Sequence, residues 1–283
     1  MTPGILLLVL LAAALHATWN ALVKSGQDRL VTLALVNLAP AIPAALALPF
    51  LPEMDWAAVP YLAASVALHT LYYACLIGAY RTGDLSQVYP IARGSAPVLV
   101  AAGAWLLAGE VKTPLEIAGI VVVSLGIVSL AWRPGPLRLP ALRKDEAILF
   151  ALATGLTIAG YSIADGLGGR ASGAVFTYIA WLFAVDGIAI VAFTFWRRRK
   201  TLRRSFSPHL LRGFAGGAVA ATAYSIVIWA MSVAPMAQVV ALRETSVLIA
   251  AGIGALILKE GFGKQRIAAA AIVVGGAALL HLA

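Results

Sequence analysis

The chain is short of nearly everything that covers a soluble protein. Of its 283 residues 12% are charged, only 12 are acidic and one is a cysteine, whereas 61% are hydrophobic and the mean hydropathy is +0.92. So few polar side chains cannot coat a globule of this size, and the chain reads as an integral membrane protein. Its one cysteine, Cys75, lies in an apolar run, which excludes an intramolecular disulfide and a thiolate metal cluster. The apolar/polar alternation of barrel strands is missing, so the membrane must be crossed by helices. Nucleophile elbow, HExxH, paired-Asp, phosphate-loop and ATPase motifs are missing too. An intramembrane enzyme would lack catalytic groups, and the chain alone has no motor for primary active transport. No cofactor and no metal are expected.

What is there is a series of long apolar runs. A span takes about 20 mostly apolar residues at 1.5 Å rise, and ten stretches qualify: 3–23, 30–51, 57–80, 87–108, 114–132, 145–165, 171–196, 209–232, 236–258 and 264–282. The opening MTPGILLLVLLAAALHA has the apolar core of a signal peptide but no positive n-region, and is read as the first span. The formal charge of +9 sits in the connections: 17 Lys and Arg follow odd-numbered spans, and only Lys112 and Arg170 follow even-numbered ones. That split places the odd-numbered connections in the cytoplasm of a multi-pass protein of the cell inner (plasma) membrane, with both termini outside. The RRRK run at 197–200 serves as an orientation anchor, and no nucleic acid partner is expected.

The chain also repeats itself. At an offset of 150 Arg93 falls on Arg243, Glu110 on Glu260 and Gly126 on Gly276; at 151 Tyr73 falls on Tyr224 and Gln87 on Gln238. HATWNALVKSG aligns with IAGYSIADGLG, which puts Trp19 on Tyr161 and Asn20 on Ser162. The expected architecture is all-α, ten transmembrane helices in two five-helix repeats, 1–132 and 145–283, joined by a cytoplasmic linker at 133–144. An odd number of spans per repeat inverts the second copy, the arrangement of alternating-access transporters.

The TWNALVK of the first span, the YPIARGSAPVLVAAGAWLLAGE of the fourth and the ETSVLIAAGIGALILKE of the ninth resemble the drug/metabolite transporter superfamily, in particular its ten-span members with two EamA domains. The resemblance covers the whole chain. It implies a cavity lined mainly by spans 1, 3, 4, 6, 8 and 9. The substrate stays open, because superfamily members carry amino acids, sugar phosphates, nucleotide sugars, drugs and other metabolites.

Polar residues at membrane depth are the candidate site. A guanidinium there costs about 2.5 to 3.5 kcal/mol on insertion scales, so Arg93 and Arg243 are expected to have a function and a partner. On the first span His16 and Asn20, flanked by Trp19, form one stripe with Lys24, which snorkels near the cytoplasmic end. His69, Tyr72 and Tyr73 form a second stripe on the third span, joined by Tyr161 and Tyr224 from the second repeat. Tyr89 lies one turn before Arg93, and Pro90 and Pro97 predict a kinked or unwound helix beside a fork suited to a carboxylate or other anion. These eleven residues are the candidates for substrate binding.

Asp186 in the seventh span, Glu244 in the ninth and Asp165 at the end of the sixth are the candidates for coupling, by pairing with an arginine or relaying protons. Because Glu244 follows Arg243 and Gly94 follows Arg93, Arg93 is favoured for substrate contact and Arg243 for gating. Glu110 and Glu260, just past their spans, are expected to serve helix ends. Spans five and ten, with Gly119, Gly126, Gly275 and Gly276, read as packing or dimerisation helices of a monomer or homodimer. Gly213 and Gly217 mark close helix packing.

The pattern points to a secondary transporter of a small polar or anionic metabolite, such as an amino acid, organic acid or phospho-compound, whose partners are that substrate, the lipid bilayer and protons. The alternatives are an intramembrane enzyme, for which no catalytic groups are found, and a lipid-binding scaffold or receptor, which would need no polar centre.

Overall fold

In the computed structural model, residues 1–24, 29–82, 85–131, 141–199, 210–256 and 264–283 are described, and among them the chain is helical with no strand. The helices are α1 (Pro3–Lys24), α2 (Arg29–Ala47), α3 (Val59–Thr82), α4 (Leu85–Ala108), α5 (Pro114–Ser129), α6 (Ala141–Ala171), α7 (Val175–Asp186), α8 (Ile188–Arg198), α9 (Leu210–Val233), α10 (Met236–Arg243), α11 (Ser246–Leu256) and α12 (Lys264–Leu282). Among the described residues seven helical stretches, one of them α7 with α8, are long and apolar enough to cross a membrane; α5 and most of α12 are apolar but shorter. Leu7, Leu106, Leu149 and Leu211 are each more than two-thirds exposed. That outward leucine surface suits lipid and not water, and the protein is a multi-pass membrane protein.

Several of the helix boundaries differ from expectation. Pro90 and Pro97 lie inside an uninterrupted α4, so the fourth span is not unwound. Breaks fall instead at Gly187, between α7 and α8, and at Glu244 and Thr245, between α10 and α11. At the latter the amides of Thr245, Val247 and Leu248 bond to carbonyls three residues back, and Thr245 Oγ1 donates to Leu242 O at 2.7 Å. Tight turns of this kind, with a hydroxyl drawn to a backbone carbonyl, interrupt the helical ladder. The sixth span does not end at Asp165 either, since α6 runs on to Ala171. Its DGLGG stretch, which looks like a breaker, is held helical by packing: Gly166, Gly168 and Gly169 leave room for Met236, Tyr178 and Val175.

The helices interlock across the two halves. α6 packs between α3 and α4, α1 packs on α9 and α11, α2 on α7 and α9, and α5 on α12. The α5–α12 contact is nearly backbone to backbone: a Cβ at Gly276 would lie 2.8 Å from Val123 N, and one at Gly119 3.1 Å from Gly276 O. These glycines pack two helices of one chain. Gly213 and Gly217 do the same for α9 against Leu35, Val36 and Ala39 of α2. Thr113 and Glu116 form a capping box at the start of α5, a device worth about 1 kcal/mol. Glu116 also accepts from Gln238 Nε2 at 2.5 Å, which ties α5 to α10.

Candidate functional site

Arg93, in the first half of α4, and Arg243, the last residue of α10, are both buried and converge on one carboxylate. Glu244, fully buried, sits where α10 stops. Its Oε1 accepts from Arg243 Nη2 at 3.0 Å and Nε at 3.3 Å, and its Oε2 lies 2.7 Å from Arg93 Nε. The Arg93 contact is off the N–H axis, so neither Arg93 Nε nor Glu244 Oε2 has a directed hydrogen bond. Two guanidiniums share one carboxylate, an excess of one positive charge.

Arg93 Nη2 lies 3.1 Å from His16 Nε2, and Trp19 Nε1 donates to His16 Nδ1 at 3.2 Å. A neutral imidazole has only one acceptor nitrogen, so His16 can satisfy one of these donors at a time. Asn20 Nδ2 donates to His16 O at 2.8 Å, and the Tyr89 ring stands 5.8 Å from the Arg93 guanidinium carbon. Glu244 serves both arginines, with its shorter contact to Arg93, while Gly94 packs on Ser124 and Val128.

A second polar centre lies among α3, α6, α7 and α9. Asp165 of α6 accepts the hydroxyls of Tyr178, at 3.0 Å, and of Tyr224. Two phenol donors are what a fully buried carboxylate needs in place of water. His69 stacks on Tyr161 at 4.0 Å with Tyr224 edge-on at 5.8 Å, and its Nδ1 lies 3.0 Å from Ser65 O and 3.7 Å from Asp186 Oδ1. Tyr72 packs against Tyr161 and Tyr73, and Tyr73 donates to Asn37 Oδ1 at 3.1 Å. Tyr161 lies between the centres, within electrostatic reach of Arg93, Arg243, Glu244 and Asp165.

A third cluster closes one end of the bundle. Glu110, just past α4, accepts from Lys112 Nζ at 2.6 Å, Arg170 Nη2 at 2.6 Å and the Met236 amide at 3.2 Å. Arg170, at the end of α6, also donates to Met231 O at 3.0 Å and Ala234 O at 2.9 Å. The pair covers free carbonyls where α9 ends and a free amide where α10 begins. Glu110 therefore does more than finish its own helix. Burial pushes its carboxyl up, but the bonds from Lys112, Arg170 and Met236 outweigh that and hold it below its ordinary value. A cavity of about 340 Å³ lined by Glu110, Lys112, Arg170, Ser232 and Pro235 lies beside it. Glu260 lies outside the described residues.

The structure thus gathers His16, Trp19, Asn20, Tyr89, Arg93, Arg243 and Glu244 in one centre. It gathers His69, Tyr72, Tyr161, Tyr224, Asp165 and Asp186 in the other, with Tyr73 at its edge on Asn37. Ser65, Asn37, Tyr178 and Arg170 were not anticipated. Ser65 could have been found one turn before His69, and Asn37 as a polar residue inside an apolar run. Nothing in the local pattern separates Tyr178 from a packing aromatic.

Residues 146–282, a little under half of the chain, match the EamA-like transporter family. The match supports the likeness to the drug/metabolite transporter superfamily carried by the sequence motifs. A crystal structure of a protein superposes over 100% of this chain and 99% of its own length with a TM-score of 0.73 and 17% identity, which shows a shared fold. No curated protein matches the chain.

Proposed function

We propose that the chain is a secondary transporter that moves a small polar or anionic metabolite by alternating access of two inverted five-helix halves, with ten spans and the odd-numbered connections in the cytoplasm. The observation that carries this reading is the buried Arg93–Glu244–Arg243 cluster at the interruption of the ninth span. A broken helix with charged groups at membrane depth is how carriers of this architecture hold a polar solute. The EamA match over the second half supports the same class.

The packing supports two related halves. Exchanging one half for the other turns α3–α6 into α9–α1, α4–α6 into α11–α1 and α2–α9 into α7–α3, and all of these pairs pack. The α5–α12 pair turns into itself. In the orientation read from the positive charges, the Glu110–Arg170 cluster closes the outer side. Asp165, Asp186 and Glu244 are the carboxylates available for proton coupling.

The test is uptake into proteoliposomes of a panel of amino acids, carboxylates and phosphorylated sugars, with and without a pH gradient. Wild-type protein is expected to carry at least one of them, and Arg93→Ala to lose that uptake at least tenfold. If nothing is carried the transporter reading fails, and if Arg93→Ala carries as well as wild type the placing of the site at Arg93 fails.

A further inference from the structure

The arginine centre is not at rest with itself. Arg93 Nε and Glu244 Oε2 meet without a directed hydrogen bond, and His16 has one acceptor for two donors. Donors left this way in a low-dielectric interior are costly, and Arg93 Nε and the surplus donor at His16 would be better served by one more anion. The charge count says the same, since one of the two guanidinium charges has no counter-ion of its own. Glu244 has a place to go. It is already held by two bonds from Arg243, and it stands at the α10–α11 break, where the backbone ladder is interrupted.

We infer that Glu244 sets the charge of the substrate. The site takes one monoanionic group, a carboxylate, on the Arg93 fork while Glu244 stays with Arg243, and it refuses a dianion. The inference rests on the transporter reading and narrows its substrate class. With a carboxylate bound, each guanidinium faces one anion and the buried charge sums to zero. With a dianion bound, one negative charge remains buried without a partner, which low-dielectric surroundings penalise heavily. Arg93 is suited to the role because its planar fork binds a carboxylate in two places. Tyr89, beside the Arg93 guanidinium, offers a ring to an apolar or aromatic body.

Benzoate and phenyl phosphate test this, because they share a ring and differ by one charge at pH 8, where a phosphate monoester is doubly ionised. Affinities for the purified full-length protein in detergent would be measured by calorimetry. Wild type is expected to bind benzoate at least tenfold more tightly than phenyl phosphate. In Glu244→Gln the preference should vanish or reverse, through a gain of at least tenfold for phenyl phosphate. Arg93→Gln should lose both ligands.

The wild type offers a check that needs no variant to fold. Its affinity for phenyl phosphate should rise as the pH falls below about 6 and the ester becomes a monoanion, while that for benzoate stays level. The titratable and charged groups around the site are His16 from α1, Tyr89 and Arg93 from α4, His69 and Tyr72 from α3, Tyr161 from α6, Tyr224 from α9 and Arg243 beside Glu244. A change in any of them acts on both ligands, so only the difference between the ligands reads the rule. Equal wild-type affinities at pH 8, an unchanged ratio in a folded Glu244→Gln, or no binding of benzoate overturns the inference. Failure of uptake in proteoliposomes would overturn the transporter reading while leaving this binding rule standing or falling by itself.

Discussion

Arg170→Met keeps an unbranched apolar stem and removes everything the guanidinium holds: the 2.6 Å pair with Glu110 and the bonds to Met231 O and Ala234 O. The arginine side chain is 31% exposed and that of Glu110 only 11%, so the ion pair is partly screened and worth about 1 kcal/mol. Each charge-assisted bond to a helix-end carbonyl adds about 1.5 kcal/mol. The substitution is therefore expected to cost about 4 kcal/mol in an equilibrium unfolding experiment on the detergent-solubilised protein at neutral pH. In a double-mutant cycle with Glu110→Gln the coupling should be about 1 kcal/mol.

The acid limb gives a second reading of the same cluster. The Glu110 carboxyl is held below its usual value of 4.5, so its contribution is fully present above that value and is lost as the pH falls through the lower value of the folded state. Wild type should lose stability over that acid range, and Glu110→Gln should show a flatter curve there. A cost below about 1 kcal/mol for Arg170→Met, or single-variant costs that add to within about 0.3 kcal/mol, would refute the idea that this cluster ties α4, α6, α9 and α10 together.

Three further outcomes are expected. Arg93→Lys should lose uptake at least tenfold, because a point charge on a flexible stem cannot meet Glu244 and His16 together as the fork does; uptake kinetics in proteoliposomes check this. Gly168→Ala would place a Cβ 2.6 Å from Tyr178 Cζ and should cost about 1 to 3 kcal/mol by pushing the ring away from Asp165, measured by unfolding and near-UV circular dichroism. Gly276→Ala, which meets Val123 N at 2.8 Å and Gly119 O at 3.0 Å, should destabilise by a similar amount. Gly275→Ala, with nothing within 4 Å, should cost less than Gly276→Ala, and thermal melts of the pair separate packing from propensity.

Membrane residence and the identity of the polar groups at depth were legible in the sequence, because burying a charge in lipid costs so much that every intramembrane Arg, Asp, Glu or His marks itself. Arg93, Arg243, Glu244, Asp165, Asp186, His16 and His69 were all found that way. The local punctuation misled in two places. Pro90 and Pro97 suggested a kinked or unwound helix where α4 is not unwound, and the sixth span was ended at Asp165 where α6 continues. In both cases local preferences of about 1 to 3 kcal/mol per residue yielded to packing against neighbouring helices.

Composition and hydropathy, read along one dimension, determined by themselves that this is a helical membrane protein and which side chains are too polar to face lipid. Only the tertiary structure decided their partners. Glu244 lies beside Arg243 in the chain but is shared with Arg93 of the other half, Asp165 is held by phenols from α7 and α9, and Glu110 closes on Arg170 of α6. A buried charge announces its need for a partner through its residue type, whereas which partner answers depends on helices brought together from distant parts of the chain.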